Sequence, residues 1–206
     1  EAPLVIPFNI AFNIISSLSG YNLGIEMGKI FQVPVLQCND DAIFKDGWTN
    51  ILNTNITKVM REGQEVNIRP ESIGLVGGTY VNPGSMRHQL YHPDNKHYSQ
   101  VDFVVGHASL ITLAALNKGF RYDEKVCTLF GAYDIFCSQW MQHNDLNIIV
   151  NHNSNFSFPN DQESHFHNGN PSKFHSKLEL EWRKMTENLS RYQEKHIEKW
   201  GFNKWY

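Results

Sequence analysis

Little in this sequence points to a nucleic-acid partner or to a membrane. Lys and Arg account for only 18 of 206 residues, and the formal net charge is −3, so no basic stripe offers a surface for phosphate groups. The apolar stretch at residues 101–116 is interrupted by Asp102, His107 and Ser109, which makes it unsuitable as a membrane span. We therefore expect neither a nucleic-acid partner nor a membrane-spanning segment.

Cysteine is also scarce. The three cysteines, Cys38, Cys127 and Cys137, are widely spaced and form no Cys-x-x-Cys pair, which argues against a disulfide framework and a cysteine zinc site. The first residues lack the charged-then-apolar order of a signal peptide. These absences predict a soluble protein in a reducing compartment, the cytoplasm.

The residues that are present fit a globular α/β protein. Apolar residues make up 41% and charged residues 19%, and the length fits a single domain over residues 1–206. Short apolar runs predict strands at residues 33–38, 72–78, 101–105 and 146–150. Longer patterns predict helices at residues 22–29, 46–59, 110–117 and 135–142, and polar stretches predict loops at 79–100 and 151–172. This alternation favours a mostly parallel or mixed sheet flanked by helices.

A group of acidic residues follows the predicted strand at residues 33–38. Asn39, Asp40 and Asp41 would stand at its carboxyl end, which is where open α/β sheets bind ligands. Adjacent carboxylates repel each other unless a cation offsets their charge, and hard divalent ions prefer oxygen ligands. The segment is therefore either a metal site or an ordinary acidic turn after a strand.

Two further places could carry chemistry. Asp134 precedes the helix predicted at residues 135–142, and a helix N-terminus favours the ionised carboxylate that a general base requires. Aspartate at a helix start is, however, more often only a cap. His165 and His167 alternate about Phe166, so in an extended segment both imidazoles would face one ion, although a solvated polar loop explains them equally well.

Several short motifs follow one another in an order typical of one enzyme family. Residues 13–201 resemble the later part of GT-A glycosyltransferases of the family-two type. Asn39-Asp40-Asp41 resembles their Asp-x-Asp motif, and residues 130–134 resemble the segment that carries their catalytic acid. The other matches are Asn13, Asn22-Leu23-Gly24-Ile25, Gly47-Trp48, residues 73–77, residues 101–106, residues 119–124 and His167-Asn168-Gly169. No single piece is specific, and their shared order carries the resemblance.

This resemblance implies a GT-A-like, Rossmann-like fold and the transfer of a sugar from a nucleotide diphosphate sugar to a hydroxyl group of a glycan or other acceptor. Asp41 would hold Mn²⁺ or Mg²⁺ with His167 or, as the second choice, His165, and Asp134 would remove the proton of the acceptor hydroxyl. The implied donor-binding residues are Asn39, Asp40, Asp41, Gly106 and His107.

The sequence departs from the family pattern in three ways. Asn39 stands where the family more often has Asp, and the second acid expected after Asp134 is replaced by the apolar Ile135. Only 38 residues precede Asn39, so part of the usual N-terminal nucleotide-binding unit is expected to be missing. The alternatives are a non-catalytic relative that binds nucleotide sugars or carbohydrates, and a metal-dependent phosphoryl or nucleotidyl enzyme, which would normally need a Lys/Arg-rich phosphate cradle.

Overall fold

The computed structural model describes residues 17–38, 42–80, 89–92, 94–104, 108–123 and 132–157. These residues form three α-helices, α1 (Ser17–Phe31), α2 (Leu113–Asn117) and α3 (Ala132–His143), and the 3-10 helices Trp48–Leu52 and Pro70–Ser72. The strands are β1 (Val35–Cys38), β2 (Ile43–Phe44), β3 (Lys58–Arg61), β4 (Gln64–Asn67), β5 (Ile73–Tyr80), β6 (Tyr98–Val101), β7 (Ala108–Ile111) and β8 (Asn147–Ser157). Of the helices in this part of the chain, none combines the length and apolar character needed to cross a membrane.

All eight described strands join one mixed sheet. Its order is β1-β7-β5-β8-β6-β3-β4, and β2 pairs with β8 beside this path. The expected α/β class is confirmed, and of the expected mostly parallel or mixed sheet the structure has the mixed form, because five of the seven described pairings are antiparallel. Parallel neighbours require a long crossover connection, usually a helix, and the short described helices provide few of them. A GT-A fold stays a prediction.

Two apolar clusters lie on opposite faces of this sheet. Consecutive strand residues point to opposite faces, so Leu75 of β5 joins the cluster under α1–α3 while Val76 joins the other. Ile148 and Ile149 of β8 divide in the same way. The helical side holds Ile25, Leu116, Phe120, Phe136 and Met141, and the other side holds Ile51, Ile56, Val59, Leu110 and Phe156. Because both faces are covered, β5 is buried along its whole length.

Local patterns predicted several elements correctly. Helix α1 contains the helix predicted at residues 22–29, and α3 contains the helix predicted at residues 135–142. Strands β1 and β5 match the apolar runs at residues 33–38 and 72–78.

The helix predicted over residues 46–59 is wrong. The chain forms only the 3-10 helix Trp48–Leu52 there and then enters β3. Hydrogen bonds to β8 hold this short helix: Asn151 Nδ2 donates to the carbonyl of Asn50 at 2.7 Å, and Ser154 Oγ donates to the carbonyl of Trp48 at 2.9 Å. Asp46 does not cap it, because the N-cap position belongs to Gly47, whose φ is 81°.

The predicted boundaries also fail around β6–β8. The strand expected at residues 101–105 lies earlier, as β6, and β7 extends into the region expected to be helical from residue 110. Strand β8 continues to Ser157 through residues that were expected to form a loop. Its buried polar residues include Asn151 and Ser154, and Thr79 Oγ1 of β5 donates to the carbonyl of Ser154 at 3.0 Å.

Close packing between α1 and β1 predicts that replacing two glycines of α1 with alanine changes the free energy of unfolding in opposite directions. A Cβ added at Gly28 would overlap Cγ2 of Val35 and lie 3.0 Å from Cδ1 of Leu116, whereas at Gly24 the nearest atom is 3.8 Å away. We expect Gly28→Ala to lower the free energy of unfolding by about 1–3 kcal/mol through overpacking. Gly24→Ala should raise it by about 0.5–1 kcal/mol because glycine is costly within a helix. Urea unfolding of both variants measures the difference, and equal effects would contradict the packing described.

Candidate functional site

The carboxyl ends of β1 and β5 lie at the same edge of the sheet. Both strands pair antiparallel with β7, so they run in the same direction. Cys38 ends β1 opposite Ala108, the first residue of β7. Tyr80 ends β5, and its hydroxyl accepts a hydrogen bond from the backbone N–H of Ala108 at 2.9 Å. We call this edge, defined by Cys38, Tyr80 and Ala108, the carboxyl edge.

The N-terminus of α3 meets this carboxyl edge and brings Asp134 there. Helix α3 connects through a short turn, with Asp145 at φ 54°, to β8, which is parallel to β5. The helix therefore runs back along the sheet, and Asp134, in its first turn, lies at the carboxyl edge. Burial raises the pKa of Tyr80, and the nearby negative charge of Asp134 raises it further. Tyr80 is thus a neutral phenol beside a carboxylate.

Tyr122 joins the same group of side chains. Asn22 of α1 holds its backbone from both sides: Nδ2 of Asn22 donates to the carbonyl of Tyr122 at 3.1 Å, and the N–H of Tyr122 donates to Oδ1 of Asn22 at 2.9 Å. Burial raises the pKa of Tyr122 well above its ordinary value, and the neighbouring Cys137 and Asp134 raise it further. The hydroxyl group therefore keeps its hydrogen and acts as a donor.

The acceptor for that hydrogen is Gln37 of β1. Tyr122 donates from its hydroxyl to Oε1 of Gln37 at 2.7 Å, and Gln37 is only 5% exposed. We did not predict Gln37, Tyr80 or Tyr122 as site residues from the sequence. The available signal was the glutamine itself, a polar residue inside the apolar run at residues 33–38, because a buried polar side chain requires partners.

Asp134 is the predicted site residue that the structure describes; the helix start expected there is present, with Asp134 in the first turn of α3, and its catalytic role stays a prediction. The other predicted site residues lie outside the described residues: Asn39, Asp40, Asp41, Gly106, His107, His165 and His167. Asn39 follows Cys38 in the sequence and His107 precedes Ala108, so each adjoins a strand that the structure describes. Their roles stay predictions.

The described residues do not form a metal site by themselves. No three His, Cys, Asp or Glu side chains within the described ranges lie close enough together to hold an ion. The neutral phenols of Tyr80 and Tyr122 are poor substitutes for the carboxylates that hard divalent ions prefer. The metal ligands expected from the sequence, Asp41, His165 and His167, lie outside the described residues, so a bound Mn²⁺ or Mg²⁺ stays a prediction.

The two described cysteines are both free thiols. Cys38 is half-buried at the end of β1, and Cys137 is buried within α3. Burial raises the pKa of each, so both are protonated at neutral pH and are weak nucleophiles. The expected cytoplasmic location stays a prediction.

A separate open depression of about 520 Å³ lies at the opposite end of β5. Its lining includes Ile73, which begins β5, Thr112, which caps α2, and Glu71. The bonds of Thr112 are structural: its hydroxyl donates to the carbonyl of Ile73 at 2.5 Å. The depression is therefore separate from the group formed by Gln37, Tyr122 and Asp134.

The carboxyl edge thus brings together the carboxyl group of Asp134, the amide of Gln37 and the phenols of Tyr80 and Tyr122. The resemblance to GT-A glycosyltransferases rests on the sequence motifs alone. Comparison of the chain with known protein families, with curated proteins and with solved structures finds no match.

Proposed function

We propose that this chain is a metal-dependent glycosyltransferase that moves a sugar from a nucleotide diphosphate sugar to an acceptor hydroxyl. One observation carries the proposal. Asp134, the expected general base, lies with the carboxyl ends of β1 and β5, and β1 continues directly into the expected donor-binding segment Asn39-Asp40-Asp41.

The proposed chemistry uses Asp134 as a proton acceptor. Its place in the first turn of α3 favours the charged carboxylate, because the unpaired N–H groups of a helix N-terminus attract negative charge. The acceptor hydroxyl transfers its proton to this carboxylate while its oxygen bonds to the anomeric carbon of the donor sugar. The bond between that carbon and the diphosphate breaks, and the nucleotide diphosphate leaves with the electron pair.

A bound divalent cation would neutralise the negative charge that develops on the departing diphosphate. The residues expected to hold it are Asp41 with His167 or His165. The described residues contribute orientation instead: Asn22 fixes the segment that carries Tyr122, and Tyr122 in turn orients Gln37. The chain's own groups thus hold one side of the site rigid.

A donor-turnover assay tests the proposal. The protein is incubated with Mn²⁺ and a panel of UDP-, GDP- and dTDP-sugars, with monosaccharide acceptors, and release of the nucleotide diphosphate is measured with and without EDTA. We expect release from at least one donor, and we expect EDTA to abolish it. Asp41→Asn should remove the Mn²⁺-dependent part of donor binding, because an amide is a weaker ligand than a carboxylate for a hard cation.

Asp46→Asn is the matched control, since Asp46 is an exposed acid five positions further along the chain. It should behave like the unaltered protein in calorimetric titrations with donor and Mn²⁺. Donor binding without any release would favour the non-catalytic relative. Binding that Asp41→Asn leaves intact would contradict the assigned metal ligand.

A further inference from the structure

Among the described residues, only one of the two polar atoms of the Gln37 amide has a hydrogen-bond partner. Its Oε1 accepts the hydroxyl hydrogen of Tyr122 at 2.7 Å, but its Nε2 has no acceptor among the described residues. The side chain is only 5% exposed. A buried donor without an acceptor destabilises a folded protein, and such groups are uncommon unless they have a role. The lack of an acceptor therefore points to a ligand.

The orientation of this amide follows from its neighbours. Tyr122 lies in hydrogen-bonding contact with Cys137 as well as with Gln37. Burial raises the pKa of both Tyr122 and Cys137, so each keeps its hydrogen. The Tyr122 hydroxyl donates to Oε1 of Gln37, which leaves the two hydrogens of Nε2 for another partner.

The position of Gln37 connects it to Asp134. Gln37 precedes Cys38, the last residue of β1, and lies on the helical face of the sheet together with Tyr122. Asp134 is close enough to Tyr122 for its charge to act on that hydroxyl. The amide of Gln37 and the carboxyl group of Asp134 are therefore both neighbours of one buried phenol at the carboxyl edge.

This combination selects a neutral hydroxyl rather than an anion. A phosphate oxygen would be repelled by the carboxylate of Asp134, and the amide, phenol and thiol carry no positive charge to offset it. A sugar hydroxyl fits both groups, because its oxygen can accept from Nε2 of Gln37 while its hydrogen is donated to a carboxylate.

We propose that Nε2 of Gln37 donates a hydrogen bond to a sugar hydroxyl of the bound substrate and so helps to determine which sugar is accepted. The hydroxyl belongs either to the transferred sugar or to the acceptor. The inference rests on the proposed glycosyltransferase function, but a sugar could occupy this position without any transfer.

The test uses two variants and one control. Gln37→Met keeps the length of the side chain and removes both amide groups, and Gln37→Met combined with Tyr122→Phe also removes the hydroxyl that would lose its acceptor. Gln100→Met is the control, because Nε2 of Gln100 already donates to Oδ1 of Asn147 at 2.7 Å, away from the carboxyl edge. Thermal unfolding without ligand should show the double variant as stable as the unaltered protein or more so, whereas Gln100→Met should be less stable.

Binding is then measured by calorimetry in Mn²⁺ with UDP-glucose, UDP-N-acetylglucosamine, GDP-mannose and the free nucleotides, and with glucose, galactose and N-acetylglucosamine alone. Loss of one hydrogen bond should lower the binding affinity for the affected sugar by about 3–10-fold. If the transferred sugar is the partner, affinity falls for the nucleotide sugar and not for the free nucleotide. If the acceptor is the partner, the acceptor KM rises while kcat and donor affinity are kept.

The possible outcomes separate this inference from the proposed function. Transfer by the unaltered protein with unchanged binding and KM in Gln37→Met would overturn the role of Gln37 alone. Binding of a free sugar that Gln37→Met weakens, without binding of any nucleotide sugar, would support the role of Gln37 and overturn the transferase. Absence of all binding by the unaltered protein would overturn both.

Discussion

Replacing Asp134 with asparagine is expected to slow sugar transfer by about 10²- to 10⁴-fold, which is the usual contribution of a general base. The asparagine side chain keeps nearly the same shape and can still accept hydrogen bonds from the N-terminus of α3, so the helix should remain intact. Donor affinity should change little, because the proposed base would contact the acceptor hydroxyl rather than the diphosphate. Single-turnover kinetics with saturating donor measure this loss.

The control for this experiment lies at the other end of the same helix. Asp145 is exposed and has a φ of 54°, a conformation that asparagine adopts readily, so Asp145→Asn should leave both stability and transfer unchanged. If Asp134→Asn transfers sugar at close to the unaltered rate, Asp134 is only a residue of the first helical turn. The base would then have to be sought elsewhere, beginning with the predicted motif residues Asp123 and Glu124.

Asn22→Leu is expected to give the largest loss of stability. Leucine has a similar size but leaves the N–H and the carbonyl of Tyr122 without partners in a buried position. Each unsatisfied buried group costs about 1–3 kcal/mol, and because the backbone can relax we expect a total loss of about 2–4 kcal/mol. Urea unfolding followed by far-UV circular dichroism measures the change.

Two comparisons make this result interpretable. Asn117→Leu, at the exposed end of α2, should change stability by less than about 0.5 kcal/mol. Tyr122→Phe should cost less than Asn22→Leu, because it keeps the backbone bonds to Asn22 and loses only the hydroxyl. A stability loss in Tyr122→Phe as large as in Asn22→Leu would show that the hydroxyl, and not the backbone connection, holds this segment.

The sequence predicted the helices that show a helical pattern along the chain and the strand that is apolar throughout. Helices α1 and α3 carry a helical pattern, and β5 is an uninterrupted apolar run, so neighbours along the chain sufficed to identify them. The prediction failed around Trp48 because residues far away in the sequence determine the structure there. Its short 3-10 helix is held by Asn151 and Ser154 of β8, about one hundred positions away.

Polarity misled the prediction for the second half of β8. Residues after Val150 are rich in Asn, Ser and His, a composition typical of loops, yet Asn151 and Ser154 are fully buried. They can be buried because their polar groups bond to the backbone of the 3-10 helix Trp48–Leu52 and to Thr79. A local pattern cannot reveal partners of this kind.

The candidate site shows the same limit. Asp134 could be predicted because a helix start is a local feature, whereas the pairing of Gln37 with Tyr122 joins residues that are 85 positions apart. The sequence showed a glutamine within an apolar run, but it did not show that the hydroxyl of Tyr122 would donate a hydrogen bond to it. Which side chains share a site was therefore decided by the strand order, in which β7 separates β1 from β5.

That strand order also has a consequence for how the chain is made. Strand β5 is buried on both sides, but its neighbours β7 and β8 both follow it in the chain, and β8 ends only at Ser157. At about 5–20 residues per second, synthesis leaves this apolar, β-prone segment without its partners for several seconds. Pairings between such distant strands also form slowly once the chain is complete. During biosynthesis, β5 is thus exposed to aggregation, and a chaperone would be expected to bind it.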